Sequence, residues 1–322
     1  MREPCPSWRR LVYLLAVAVL PGPRHPAQKK TGHAVEQDRP DVLKKRKDWF
    51  DGQLDLDPVR DDRPFAGGAP PAARFHFSRD RGMANPNRHP AGWRGILQAD
   101  AYGGYNDLYR ADRDRGPVDS ALCWSHARRK FFELADIKGN VRKGKSAHDI
   151  SPVALEAVAQ IDALFDIERG INGLPIKERH TARQRLSRPL AEDLHDCLLS
   201  ERDRMSKHNP VAKAITYIFR NVRWTAFARF LDDGWVCLTN NAAERALRGA
   251  ALGRKSWLFA GSKRGGDRAA FMYSLIVTAK LNDIDPQAWL ADVLARLPDT
   301  PVSLATDLLP WSWFPARQRM AA

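Results

Sequence analysis

The feature that most constrains the fold is a change in hydrophobic pattern near residue 126. Before it, apolar residues occur in short runs bounded by glycine and proline, which is typical of strands. After it, over residues 127–235, apolar residues recur with a period near 3.6, which places them on one face of successive helices. The chain is therefore predicted to contain a strand-bearing region followed by a helical module.

Three short runs before residue 126 have strand character. Ala73–Ser78 alternates two phenylalanines with other residues, and we expect it to be a member of a sheet. Gly95–Asp100 predicts a buried strand that delivers a carboxylate at its end, and Ala121–Trp124 predicts another short strand. Beyond the helical module, two further helices are predicted at Ala269–Leu281 and from Asp285 to about Leu297.

Charge and cysteine content limit the class of protein. The chain has 52 Lys and Arg residues against 38 Asp and Glu residues, a net charge of +14, so its surface should attract a polyanion such as nucleic acid. Its 4 cysteines lie far apart with no CxxC pair. This spacing predicts neither a disulfide scaffold nor a four-thiolate zinc site and favours a reducing cytoplasm.

The amino end offers an alternative location. Arg9 and Arg10 precede the apolar run Leu11–Leu20, and Pro21-Gly22-Pro23 follows it, as in a signal peptide. The run is too short to span a bilayer. We expect residues 1–27 to be an unstructured leader or a short helix of a cytoplasmic protein, with export as the competing interpretation.

The first candidate for chemistry is Asp100. It follows an apolar strand and precedes Gly103-Gly104, a position from which a carboxylate can hold a hard cation such as Mg²⁺. The alternative is an ordinary aspartate of a turn or helix cap.

The second candidate is the segment from Thr239 to Arg268. Asn240 or Asn241 can cap a helix whose first turns carry Glu244, although this position also suits a purely structural carboxylate. Residues 245–268 have a net charge of +6, and the aromatic Trp257 lies among the cations, a combination suited to DNA binding through charge and stacking. The alternative is a solvated basic loop. The candidate DNA contacts are Arg245, Arg248, Arg254, Lys255, Trp257, Lys263 and Arg264.

The third candidate is Cys123-Trp124-Ser125-His126. Two ligands do not make a zinc site, and nothing nearby in the sequence supplies a second pair. A Cys/His nucleophile pair lacks an oxyanion or substrate context here. We therefore expect a structural role for Cys123 and His126.

Taken in order, these motifs resemble those of insertion sequence family 66 transposases. The matching segments are 97–105, 123–131, 239–248 and 253–262, and the similarity runs from about Val59 to Trp313. The resemblance implies a ribonuclease H-like α/β core, at residues 59–126 and 236–300, with an all-α domain inserted at 127–235 and a tail at 301–322.

The resemblance also implies a chemistry. In such enzymes an Asp, a second Asp and a Glu hold two divalent metal ions that act in DNA cleavage and strand transfer. Asp100 would be the second acid and Glu244 the third, with Mg²⁺ or Mn²⁺ as cofactor and transposon-end and target DNA as partners. Cys123 and His126 would match a Cys-x-x-His feature of the family. A homo-oligomer or an intact transposase is a further expected partner, and a membrane is not.

The amino end departs from this pattern. The opening strand that should carry the first Asp is not present before residue 59, and the charged segment 28–58 instead resembles a linker of insertion sequence family 630 transposases. Asp61 and Asp62 fit a solvated turn better than a catalytic position. We expect a core that is incomplete at its amino end, with little or no turnover. The competing function is a non-catalytic remnant that binds DNA or an intact transposase.

Overall fold

The computed structural model describes residues 19–20, 72–78, 95–114, 116–136, 150–253 and 262–313, with the isolated residues 139, 142 and 144. Several predicted features lie outside the described residues: most of the leader, the charged segment 28–58, Asp61 and Asp62, and the basic and aromatic positions Arg254, Lys255 and Trp257. Within the predicted leader, the structure describes a two-residue strand, Val19–Leu20, which the sequence did not predict.

A small mixed sheet lies at the start of the described core. Strand β1 (Val19–Leu20) pairs antiparallel with β2 (Ile96–Ala99), and β2 pairs parallel with β3 (Asp119–Leu122). All four residues of β2 are buried, as expected for an apolar run of this length. The predictions of short strands near residues 95–100 and 121–124 are confirmed, although Trp124 begins a helix instead of ending a strand.

The prediction that Ala73–Ser78 belongs to a sheet is wrong. This segment runs along a helix, Lys263–Leu281, and two of its backbone N–H groups donate to hydroxyls of that helix. Phe75 N donates to Ser274 Oγ at 2.8 Å, and Ala73 N donates to Thr278 Oγ1 at 3.0 Å. Side-chain hydroxyls thus take the place of a neighbouring strand, and the alternating phenylalanines reflect packing on the helix.

Helices make up most of the described residues, so the fold is mixed α/β with a predominance of helix. The period near 3.6 correctly predicted the helical region. The helices are α1 (Trp124–Ala135), α2 (Pro152–Ile171), α3 (Ile176–Ala182), α4 (Arg188–Asp203), α5 (Pro210–Phe219), α6 (Arg223–Asp232), α7 (Asn241–Gly253), α8 (Lys263–Leu281) and α9 (Pro286–Arg296), with a π-helical turn, Arg183–Ser187, joining α3 to α4.

The largest core cluster joins the sheet to the helices that follow it. It extends from Ile96 and Leu122 through Trp124 to apolar side chains of α2, α4, α5 and α6. Trp124 is fully buried, and its indole Nε1 donates to the carbonyl oxygen of Phe227 in α6 at 2.9 Å. Since burying an aromatic side chain of this size stabilises a fold by several kcal/mol, Trp124 fixes the junction between β3 and the helical region.

The carboxyl-terminal residues pack back on α9. The Trp289 indole donates to the Leu308 carbonyl oxygen at 2.9 Å, and the Trp313 indole donates to Asp292 Oδ2 at 2.7 Å. The tail is thereby tied down as far as residue 313. Among the described helices, none combines the length and apolar character needed to cross a membrane.

Candidate functional site

Two polar residues lie side by side where the parallel strands end. Asp100 follows β2 and Cys123 follows β3, and the register pairs Ala99 with Leu122, so both residues leave the same edge of the sheet. Asp100 is half-buried, and its Oδ1 accepts the N–H of Tyr102 at 3.3 Å. Asp100 therefore occupies the strand-end position that the sequence predicted.

The glycine turn after Asp100 is required by close packing. A Cβ atom at Gly104, in the 3₁₀ turn Gly103–Tyr109, would collide with the ring of Tyr102, so no larger residue fits at position 104 without moving that ring. Burial, with a smaller contribution from the Asp100 carboxylate, raises the pKa of Tyr109 at the end of this turn to about 12. The residues after Asp100 thus form a closely packed turn with a neutral phenol.

Cys123 is buried at the junction between β3 and α1. The backbone N–H groups of Asn240, His126 and Ser125 donate to its sulfur, but burial outweighs them and raises the pKa of the thiol. The N–H of Trp124 donates to the Leu238 carbonyl oxygen at 3.1 Å. Cys123 is therefore a protonated thiol that helps join β3 to the segment before α7, which fits the structural role predicted for it.

His126 reaches the carboxylate of Glu244. Its Nε2 lies 3.3 Å from Glu244 Oε1, with 22% of the histidine side chain and 45% of the glutamate side chain exposed. This distance places the imidazole ring against the carboxylate. The other ring nitrogen, Nδ1, is buried and has no hydrogen-bond partner within the described part of the chain. Sequence reasoning missed this contact, because nothing in the spacing links positions 126 and 244.

Each candidate acid raises the pKa of a neighbouring side chain. Burial raises the pKa of Tyr217, and the Asp100 carboxylate raises it further, with a smaller contribution in the same direction from Cys123. The Glu244 carboxylate in turn raises the pKa of Cys123. In addition, Gln98 of β2 donates to the carbonyl oxygen of Cys237, just before α7. Asp100 thus directly follows β2, and Glu244 lies against His126, four residues after the end of β3.

The cap predicted for α7 differs in detail. Asn240 Oδ1 is buried without a hydrogen-bond partner among the described residues, so this side chain does not cap the helix. Instead, the Thr239 hydroxyl accepts the N–H of Asn241 at 3.3 Å, and the Asn240 carbonyl oxygen accepts the N–H of Glu244 at 3.2 Å. Glu244 lies in the first turn of α7, as the sequence predicted.

The basic candidates that the structure describes lie on two helices. Arg245 and Arg248 are exposed on α7, while Ala246 and Leu247 of the same helix pack against Phe75 and Ala270. Arg264 is exposed in the first turn of α8. Lys263 forms a salt bridge with Asp267 at 2.7 Å, so part of its charge is neutralised within the helix.

The chemistry of the site depends on its oxygen donors. Asp100 and Glu244 offer carboxylate oxygens, which Mg²⁺ and Mn²⁺ prefer, whereas a protonated thiol such as Cys123 is a poor ligand for either ion. Within the residues that the structure describes, no cluster of three or more His, Cys, Asp or Glu side chains could hold a metal ion. Carboxylates of this kind suit a divalent-metal site, which also needs phosphate oxygens or further ligands.

Comparisons with known proteins identify the family. The model of the Transposase IS66 family matches residues 55–268, and that of the IS66 C-terminal element matches residues 274–311. Uncharacterized protein y4hP of Sinorhizobium fredii is 55% identical over 79% of this chain and 46% of its own length. Uncharacterized protein y4jD of the same organism is 38% identical over 79% of the chain and 48% of its own length.

The chain spans about half the length of these curated relatives. No solved structure matches it. The family match begins at residue 55, so it gives no support to the separate origin predicted for residues 28–58. Two family models together account for most of the chain, in the order and at the positions of the motifs described above, and the chain belongs to the IS66 family of transposases.

Proposed function

We propose that this chain derives from a transposase of the Asp-Asp-Glu type and carries two of its three acids, Asp100 and Glu244. The observation that carries the proposal is the meeting of three motifs at one sheet edge: Asp100 after β2, Cys123 and His126 after β3, and Glu244 held by His126 at 3.3 Å. Cys123 and His126 join α7, which bears Glu244, to the end of β3. This shared role fits their occurrence in one motif of the sequence.

A divalent metal ion, Mg²⁺ or Mn²⁺, would supply Lewis-acid activation of phosphate oxygens when bound at this edge. Asp100 and Glu244 would hold it. His126 would act as a positioning residue, since its Nε2 lies 3.3 Å from one oxygen of Glu244 and can orient the carboxylate. Arg245 and Arg248, exposed on α7 directly after Glu244 and about one turn beyond it, would bring the DNA backbone to the acids.

The ribonuclease H-like arrangement is part of the same proposal. A parallel strand pair that ends in an acid, followed by a helix and a long helical segment before the last acid, fits such a core interrupted by an inserted domain at 127–235. Residues 59–126 and 236–300 would then form the core. The basic positions Arg254, Lys255, Trp257, Lys263 and Arg264 would extend the DNA contact surface.

We infer that the chain alone has little or no turnover. The resemblance implies three acids, and the sequence offers matches for two. Because each metal ion in this chemistry needs carboxylate ligands, loss of one acid should be nearly fatal to catalysis. The competing function is DNA binding, or association with an intact transposase, without chemistry; the exposed cations on α7 favour its DNA-binding form.

The test is a cleavage assay with transposon-end DNA in the presence of Mg²⁺ or Mn²⁺. We expect DNA binding, with no more cleavage by the unmodified chain than by Asp100→Asn. Cleavage that Asp100→Asn abolishes would contradict the loss of activity and support the site. Cleavage that both Asp100→Asn and Glu244→Gln retain would reject the two acids as catalytic residues.

A further inference from the structure

A cluster of one aromatic and two basic side chains lies next to Asp100, contributed by α1, α5 and α6. Tyr217 of α5 is half-buried and lies beside the backbone of Ala101, the residue after Asp100. The Lys130 ammonium lies 5.7 Å from the centre of the Tyr217 ring, and the Arg223 guanidinium carbon lies 5.3 Å from it. We call Lys130, Tyr217 and Arg223 the Tyr217 cluster.

Arg223 fixes this cluster to the strand end. Its guanidinium donates to the Ala101 carbonyl oxygen at 3.3 Å and to the Tyr217 carbonyl oxygen at 3.2 Å. These two bonds join the Ala101 carbonyl oxygen to the end of α5 through Arg223. The helical region therefore holds the residue that follows Asp100, with Arg223 on its carbonyl oxygen and Lys130 on the neighbouring Tyr217 ring.

The charges of the cluster have no carboxylate partner in the described structure. Neither Lys130 nor Arg223 forms a salt bridge with a described residue, and Lys130 is exposed on α1 beside the exposed Arg129. An acid alone at a strand end repels phosphate, whereas flanking cations offset that repulsion at close range. Lysine on an aromatic face remains available to a phosphate oxygen because the ring attracts the ammonium without neutralising it.

We propose that the Tyr217 cluster binds the phosphate backbone of DNA beside Asp100, with Lys130 as its direct contact and Arg223 and Tyr217 as its support. This proposal rests on the proposed function and deepens it: the helical region supplies DNA contacts of its own, separate from the basic residues 245–268. The partner is the sugar-phosphate backbone, so the contact is independent of base sequence.

The test is the salt dependence of DNA binding by the full chain without divalent metal ions, followed by fluorescence anisotropy of a labelled mixed-sequence duplex. Each phosphate contact contributes a slope of about −0.9 in the logarithm of affinity against that of salt. Lys130→Gln should make the slope shallower by about that amount. Over roughly 50–200 mM salt, the variant should then lose about 3.5-fold less affinity than the unmodified chain.

Lys177→Gln is the matched control, because Lys177 is exposed on α3, which packs against other helices of the helical region. An unchanged slope in Lys130→Gln would overturn the proposal. A slope that becomes equally shallow in Lys177→Gln would also overturn it, because the change would then be a general effect of net charge. If the unmodified chain binds no DNA, the proposed function fails as well. Unchanged thermal unfolding of Lys130→Gln would show that the effect on binding is local.

Discussion

Replacing Glu168 with glutamine should strongly destabilise the helical region, because this carboxylate pairs with two buried arginines. Arg179 and Arg183 have no exposed side-chain surface, and the Glu168 side chain is 2% exposed. Arg183 binds Glu168 through two parallel bonds of 2.7 Å, and Arg179 binds Oε2 at 3.2 Å. In Glu168→Gln, an amide group without charge would face both guanidinium groups.

The cost follows from leaving buried charge uncompensated. Removing one partner of a buried ion pair lowers the free energy of unfolding by about 3–5 kcal/mol. At roughly 2–4 °C per kcal/mol for a chain of this size, the melting midpoint should fall by about 6–20 °C. Arg183 also donates to the carbonyl oxygens of Phe230 and Asp233, at 2.9 and 3.0 Å, so the loss should extend to the end of α6.

Thermal unfolding followed by circular dichroism measures the effect, with Glu192→Gln as control. Glu192 pairs with Arg188 at 3.6 Å on the surface, where 64% of the glutamate side chain is exposed. An exposed pair of this kind contributes at most about 1 kcal/mol. Equal melting midpoints for Glu168→Gln and Glu192→Gln would refute the reasoning, since burial would then have no bearing on the cost.

Three further predictions concern the site and its surroundings. His126→Ala should weaken Mn²⁺ binding about 10- to 100-fold, because Glu244 loses the side chain that orients it, and His126→Gln should restore part of the affinity. Equal affinities of the unmodified chain and both variants in titration calorimetry would contradict the positioning role. Gly266→Ala should cost about 1–3 kcal/mol in urea unfolding, because its Cβ would lie 2.6 Å from the Phe77 ring; an unchanged urea midpoint would show that Phe77 does not pack on α8. Because the pKa of Tyr109 is raised in the folded protein, its phenol ionises first in the unfolded chain as the pH rises. The free energy of unfolding should therefore fall between pH 10 and 12, by about 3 kcal/mol more in the unmodified chain than in Tyr109→Phe. Parallel pH profiles of the two proteins would contradict this prediction.

The hydrophobic pattern of the sequence predicted the buried strand before Asp100 and the helices after residue 126. The apolar run before Asp100 and the helical period after residue 126 both reflect which face of an element is buried, and the structure confirms both. Alternation failed at Ala73–Ser78 because hydroxyls of Ser274 and Thr278, about 200 positions away in the sequence, take the place of a strand neighbour. No local signal marks that substitution.

The candidate site likewise combines residues that sequence motifs indicate with contacts that only the tertiary structure shows. Asp100 and Glu244 are proposed as site residues from their motifs, whereas the contact between His126 and Glu244 arises only in the tertiary structure. Buried Arg179 and Arg183 could not be predicted, since arginine is almost always exposed and the pairing with Glu168 arises in the tertiary structure. Lys130, Tyr217 and Arg223 were missed because three separate helices bring them together.

Titration of the full chain with Mn²⁺ is the most direct test of whether Asp100 and Glu244 belong to one site. Because loss of an outer partner already costs about 10-fold in metal affinity, loss of either ligand should cost at least as much. The double variant Asp100→Asn with Glu244→Gln should be little worse than the weaker single variant, since two ligands of one ion are coupled. Asp112→Asn, which removes an exposed acid paired with Arg110, should bind Mn²⁺ like the unmodified chain. If Asp100→Asn and Glu244→Gln leave Mn²⁺ affinity unchanged, the two acids do not bind the ion. If the fold-losses of the two single variants multiply in the double variant, the acids act independently and do not share a metal ion.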